Sequence, residues 1–182
     1  MTILGVLADT HVPDRVRALS PESTAIFKDA DVDAILHAGD VIVPAVLRAL
    51  STIAPVYAVR GNRDWLALRH LPASRWLEFE GVKIALTHGH GWLWHYLVDK
   101  VREYHEGYQA ERYQPYLLSA FPEAGVIVFG HTHRPMNQWV KGKLLFNPGS
   151  PHPLDPEKAA PSLGLLTIRA GGEVEGKIIS LG

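Results

Sequence analysis

The sequence predicts an α/β (α+β) fold in which two packed mixed β-sheets are flanked by helices. Three observations predict it. The first half alternates short apolar runs with helical patterns, the second half is a series of short strand-like runs set apart by Gly or Pro turns, and five apolar runs end in clusters of polar side chains.

Residues 3–8 form a continuous apolar run, the look of a buried strand, and it stops at Asp9. Pro13 breaks the chain. Ser20-Pro21-Glu22 then signals a helix start, with Ser as N-cap and Pro at the first helical position, for a helix reaching Lys28. A second strand is expected over 33–38, ending at Gly39-Asp40, then a helix over 44–51 and a third strand over 53–59 ending at Arg60-Gly61-Asn62. Strand, helix, strand, helix, strand with short links is the pattern of a parallel sheet.

Residues 75–80 and 82–87 flank Gly81 as a hairpin whose second arm ends at His88. A short strand over 126–129 ends at Gly130-His131. Further strands are expected over 137–140, 143–146, 164–169 and 173–179, with Gly171-Gly172 a hairpin signal and the Pro-rich stretch 148–161 a loop. Between them, the aromatic and charged segment at 91–123 suits two helices, broken near Gly107 and at Pro115. Its aromatics are expected to pack on the core, or else to form a lid or the surface of a homo-oligomer. The whole chain, 1–182, is expected to be one domain.

Composition removes several function classes. A formal charge of -1 gives no basic field to draw in polymeric nucleic acid, so that substrate is unsupported. With no cysteine there is neither a disulfide framework nor a thiol nucleophile. Residues 1–7 are too short for a signal sequence and no apolar run approaches a membrane span, so no membrane partner is expected and the cytoplasm is the expected address.

The chemistry lies in the clusters. Asp9-Thr10-His11, Gly39-Asp40, Gly61-Asn62, His88-Gly89 and Gly130-His131-Thr132-His133 each follow a strand-like run, so their polar atoms should emerge at one end of a sheet. Imidazole, carboxylate and amide oxygen are ligands for divalent first-row metals. Asp40 is the expected bridging carboxylate. Asp9 and His11 are expected to alternate along an extended backbone and so point the same way; His131 and His133 should do likewise, each reaching a different ion.

With His37-Ala38 ahead of Gly39-Asp40, Arg63-Asp64 after Gly61-Asn62, and Thr87-His88-Gly89-His90, these clusters resemble the five motifs of the calcineurin-like metallophosphoesterases. The short length and Asn147-Pro148-Gly149-Ser150 resemble that family's small prokaryotic phosphodiesterase branch, to which the retromer scaffold subunit of eukaryotes is also related. The resemblance implies a four-layer sandwich. It implies a first metal held by Asp9, His11, Asp40 and His133 and a second held by Asp40, Asn62, His88 and His131. It further implies hydrolysis of a small phosphate ester, most plainly a diester, by a metal-bridging hydroxide. Two divalent ions per chain are expected, with manganese preferred and nickel, iron, cobalt or zinc as alternatives.

The chain departs from the family pattern at Arg63, where many family phosphatases carry His and the small phosphodiesterases often carry Cys. Guanidinium cannot act as a general acid. Arg63 is therefore read as a clamp on a phosphate oxygen, against the plainer reading that it points to solvent or pairs with a carboxylate such as Asp64. His90 becomes the candidate for substrate contact and leaving-group protonation, and Asn62 also lies where substrate would bind. His37 and Asp64 are expected to support the ligands through hydrogen bonds. The competing functions are a non-catalytic protein-interaction scaffold of the same fold, a phosphomonoesterase and a nuclease.

Overall fold

In a computed structural model, which describes residues 1–89, 113–154 and 159–182, the opening apolar run is β1 (Thr2–Leu7). It is followed by α1 (Pro21–Asp29), β2 (Ala34–His37), α2 (Pro44–Leu50) and β3 (Val56–Ala58). Then come β4 (Ser74–Phe79), β5 (Val82–Thr87), α3 (Tyr113–Ala120) and β6 (Val126–Val128). The chain closes with β7 (Pro135–Val140), β8 (Lys143–Pro148), β9 (Ser162–Ile168) and β10 (Val174–Ser180).

These strands form two mixed five-stranded sheets, ordered β10-β9-β1-β2-β3 and β4-β5-β6-β8-β7. Within the first, β1, β2 and β3 run parallel; within the second, β5, β6 and β8 do. The antiparallel pairs β9-β10, β4-β5 and β7-β8 lie at the edges. Alternation along each strand explains the layering. Leu4, Val6, Leu36, Ile84, Leu86, Val128 and Phe146 share the core between the sheets. Leu7 and Ile35 face the other way, into a second core with Phe27 of α1 and Val46 and Leu50 of α2. Ala85, Ile127 and Leu145 meet Leu117 of α3 and Phe121 in a third. A strand buried on both faces cannot show polar alternation, hence the continuous apolar runs.

Three local expectations need correction. The helix does begin at Pro21, but the Ser20 hydroxyl makes no cap; its backbone carbonyl accepts the Ser23 N–H instead, at 3.1 Å. Pro115 lies inside α3 and does not break it. The third strand starts at Val56 because residues 51–54 extend the end of α2 as turns, with the Ile53 and Ala54 amides donating to the Leu50 carbonyl. Ile53 and Ala54 still join the α1 and α2 core, which is why they read as strand. The Gly171-Gly172 hairpin forms as expected, both glycines having φ near 90° (92° and 85°). Of the segment at 91–123, residues 91–112 lie outside the described residues. Tyr113 and Tyr116 pack against the third core. No helix among the described residues is long and apolar enough to cross a membrane.

Candidate metal centre

The loops that leave β1, β2, β3, β5 and β6 meet at one edge of the sandwich. The first two are laced together by backbone bonds, Asp9 N–H to Gly39 O and His11 N–H to Asp40 O, both at 3.0 Å. Here the structure corrects the expected extended alternation. Asp9, His11, Asp40, His131 and His133 all have positive φ, at 53°, 49°, 55°, 72° and 57°. Left-handed backbone at a non-glycine residue costs about 1–3 kcal/mol and persists only where the surroundings hold it. The turns, not strand alternation, aim these side chains.

Two motif glycines serve the same packing. Gly39 has φ 91°, and a Cβ there would stand 2.7 Å from His88 Nδ1. At Gly61 a Cβ would collide with the carboxylate of Asp40.

The seven expected side chains come together. His11 Nε2 stands 3.3 Å from His133 Nε2, 3.5 Å from Asp40 Oδ2 and 3.9 Å from Asp9 Oδ1. His133 Nε2 is 3.6 Å from Asp9 Oδ1. On the other side, His88 Nε2 lies 3.6 Å from Asp40 Oδ1 and 3.0 Å from Asn62 Oδ1, which is itself 3.2 Å from His131 Nδ1. Asp40 thus turns one oxygen toward each group. Asp9 Oδ1 also comes within 4.0 Å of His88 Nε2, but its second oxygen is occupied by the His131 N–H, at 2.8 Å.

These donors suit divalent cations. Asp9 Oδ1 is buried and has no hydrogen-bond partner. His88 Nδ1 donates to the Ala38 carbonyl at 2.7 Å, so in the neutral ring Nε2 carries a lone pair that faces the oxygen of Asn62. A cation held between them would satisfy both lone pairs.

Of the two expected supporting residues, Asp64 bonds to the backbone of Asp40, whereas the hydrogen bond of His37 goes to Thr10 and not to a ligand side chain. Asp64 is fully buried: its Oδ2 accepts the Asp40 and Gly61 amides at 2.9 and 2.7 Å, and its Oδ1 the Ile42 amide at 2.7 Å. His37 Nε2 shares a hydrogen bond with Thr10 Oγ1 at 3.2 Å. Arg63 donates its backbone N–H to Asp40 Oδ1 at 2.8 Å, and its guanidinium pairs with Asp14 and not with Asp64. His90 lies outside the described residues. Sequence reasoning assigned no role to Asp14, whose position in a loop carries no periodic signal. Nor did it see that Ser150 Oγ would donate to the Asp9 carbonyl, at 2.9 Å, or that Asn147 Nδ2 would donate to the Gly130 carbonyl, at 2.9 Å.

Burial sets the protonation of the site. It pushes the Asp9 carboxyl well above the usual carboxylate range, the Asp40 charge adding to the effect while the His131 amide opposes it. Asp40 is raised as well, first by burial, with His88 and the Arg63 amide pulling the other way. Burial, then the His133 and Arg15 charges, lowers His11 from 6.5 to about 2, so this ring stays neutral and able to ligate. Two buried carboxylates beside the neutral His11 ring form an environment short of positive charge.

Comparison with known proteins agrees with this chemistry. Residues 1–171 match the Calcineurin-like phosphoesterase superfamily domain. A probable metallophosphoesterase of Methanothermobacter thermautotrophicus is 35% identical over 180 residues, 99% of this chain and 93% of that protein. A phosphodiesterase of Methanocaldococcus jannaschii is 24% identical over 166 residues, 80% of this chain and 82% of its own. Among solved structures, Vps29 of Entamoeba histolytica complexed with zinc shares the fold at a TM-score of 0.73 and 22% identity, over 98% of this chain and 99% of that one.

Proposed function

The chain belongs to the calcineurin-like phosphoesterase superfamily, and we propose that it is a phosphodiesterase working with two divalent metal ions on a small phosphate ester. The observation that carries this reading is the posture of Asp40, whose Oδ2 lies 3.5 Å from His11 and whose Oδ1 lies 3.6 Å from His88. Asp9, His11, Asp40 and His133 would hold one ion, and Asp40, Asn62, His88 and His131 the other. Bound there, the pair would lower the pKa of water toward ~7 and share the charge that gathers on the phosphoryl oxygens.

The chain's own residues supply position. The Ala38 carbonyl fixes the His88 ring, and the Asp64 carboxylate ties the Asp40 and Gly61 turns to one another. A guanidinium is no general acid, so Arg63 is assigned to binding a phosphate oxygen and not to protonating a leaving group. That task we assign to His90. The diester preference is supported by the similarity to a protein named as a phosphodiesterase. The likeness to Vps29 is one of fold and brings no partner with it.

The test is a screen of phosphomonoesters, aryl diesters and cyclic nucleotides with manganese-reconstituted protein, run beside Asp40→Asn. Turnover of diesters above monoesters, lost in the variant, is the expected result. Two bound ions with no hydrolysis of any ester would instead favour a scaffold that has kept its metals.

A further inference from the structure

Asp14 stands where two parts of this site meet. It lies in the loop after β1, three residues beyond His11, and its Oδ2 is 3.7 Å from His11 Nδ1. The same oxygen takes the Arg63 Nη1–H, which reaches across from the loop after β3. His11 is 1% exposed, and its Nδ1 is buried with no hydrogen-bond partner.

Tautomer chemistry gives this geometry a consequence. The Nε2 of His11 faces His133, Asp40 and Asp9, so in any ion-holding state that nitrogen carries the lone pair. In a neutral imidazole the proton must then sit on Nδ1, where it needs an acceptor. Asp14 Oδ2 is the carboxylate oxygen beside that nitrogen, 3.7 Å away and so just beyond hydrogen-bond distance.

We propose that Asp14 is a positioning residue whose carboxylate accepts the His11 Nδ1–H when an ion is held, fixing ring tautomer and orientation, and that Arg63 draws on the same oxygen as a competitor. This rests on the metal reading given above. It also gives Arg63 a role beyond phosphate: the guanidinium keeps the Asp14 charge at the edge of the site. A carboxylate behind a ligating imidazole raises the basicity of the ring, and losing such a partner typically weakens metal affinity about 10- to 100-fold.

The experiment titrates Mn²⁺ alone into metal-free protein by calorimetry, for wild type, Asp14→Ala, Asp14→Asn and Arg63→Ala. Asp14→Ala is expected to weaken one of the two sites about 10-fold or more. Asp14→Asn keeps an acceptor oxygen and should fall between it and wild type. Arg63→Ala removes the competitor and should bind manganese at least as tightly as wild type. Asp14 is more than a third exposed on its side chain, so the fold does not depend on it, and unfolding temperatures of the metal-free variants should match. Both sites staying within about twofold of wild type in Asp14→Ala would overturn the proposal. Equal weakening in Asp14→Ala and Arg63→Ala would overturn it too, by assigning the effect to loss of the ion pair. A wild-type protein that binds no ion sinks the metal reading along with it, whereas two tight sites indifferent to Asp14 leave that reading standing.

Discussion

His37 is wholly buried at the end of β2, with Nδ1 lacking any hydrogen-bond partner and Nε2 bonded to Thr10. Burial lowers its pKa from 6.5 to about 4, against the opposing pull of Asp64. The folded state therefore resists a proton that the unfolded chain takes up near pH 6.5. The resulting stability is fully present above pH ~6.5 and is lost as pH falls toward 4. Each pH unit across that window is worth about 1.4 kcal/mol, so on the order of 2 kcal/mol disappears between pH 7.5 and 5. Glutamine can keep the bond to Thr10 but cannot titrate. In urea denaturation of metal-free protein, His37→Gln should lose about 2 kcal/mol less than wild type over that range. Parallel pH profiles would show that His37 is already protonated in the fold, or that its burial is relieved.

Among the elements, the end of β8 fastens the ligand loops to one another. Asn147 reaches the Gly130 carbonyl and the Thr132 hydroxyl at 2.9 and 3.1 Å, Ser150 reaches the Asp9 carbonyl, and the Ser150 carbonyl accepts the Ser162 amide of β9 at 2.7 Å. One short segment thus ties the His131 turn of the second sheet to the Asp9 turn of the first. Ser150→Ala strands a buried backbone carbonyl and should cost about 1–3 kcal/mol, read as a lower unfolding temperature, with weaker manganese binding because Asp9 loosens. Unchanged metal affinity in a destabilised variant would confine Ser150 to the fold.

The same elements show what could be read beforehand. The parallel strands were legible because burial on both faces leaves an unbroken apolar run. The candidate ligands were legible because few side-chain types bind metals. Their backbone was not: positive φ at Asp9, His11, Asp40, His131 and His133 is imposed by the loop pairings and by Asp64, contacts between residues far apart in the chain. Asp14 escaped for a similar reason, since its partner Arg63 is 49 positions away. Ser20 carried the signal of a side-chain cap without making one, because composition gives preference and not geometry.

For the molecule as a whole, the two sheets place their parallel strands so that Asp9 and Asp40, 0% and 2% exposed, share one buried edge. Burial and mutual repulsion disfavour charging both carboxylates, so the metal-free fold carries a cost that bound cations would convert into attraction. An ion that binds the folded chain alone stabilises it by about 2.7 kcal/mol at a hundred times its Kd. For a domain of this size that is an upward shift of roughly 5–10 °C in unfolding temperature. Manganese should produce the shift, a chelator should reverse it, and Asp40→Asn should lose most of it. The shift should also be smaller at pH 5 than at pH 8, because raised carboxyl pKa values let protons compete with the ion for Asp9 and Asp40. Scanning calorimetry with and without manganese at the two pH values measures both. A shift of the same size at both, or none at either, would mean that the buried carboxylates do not hold the ions.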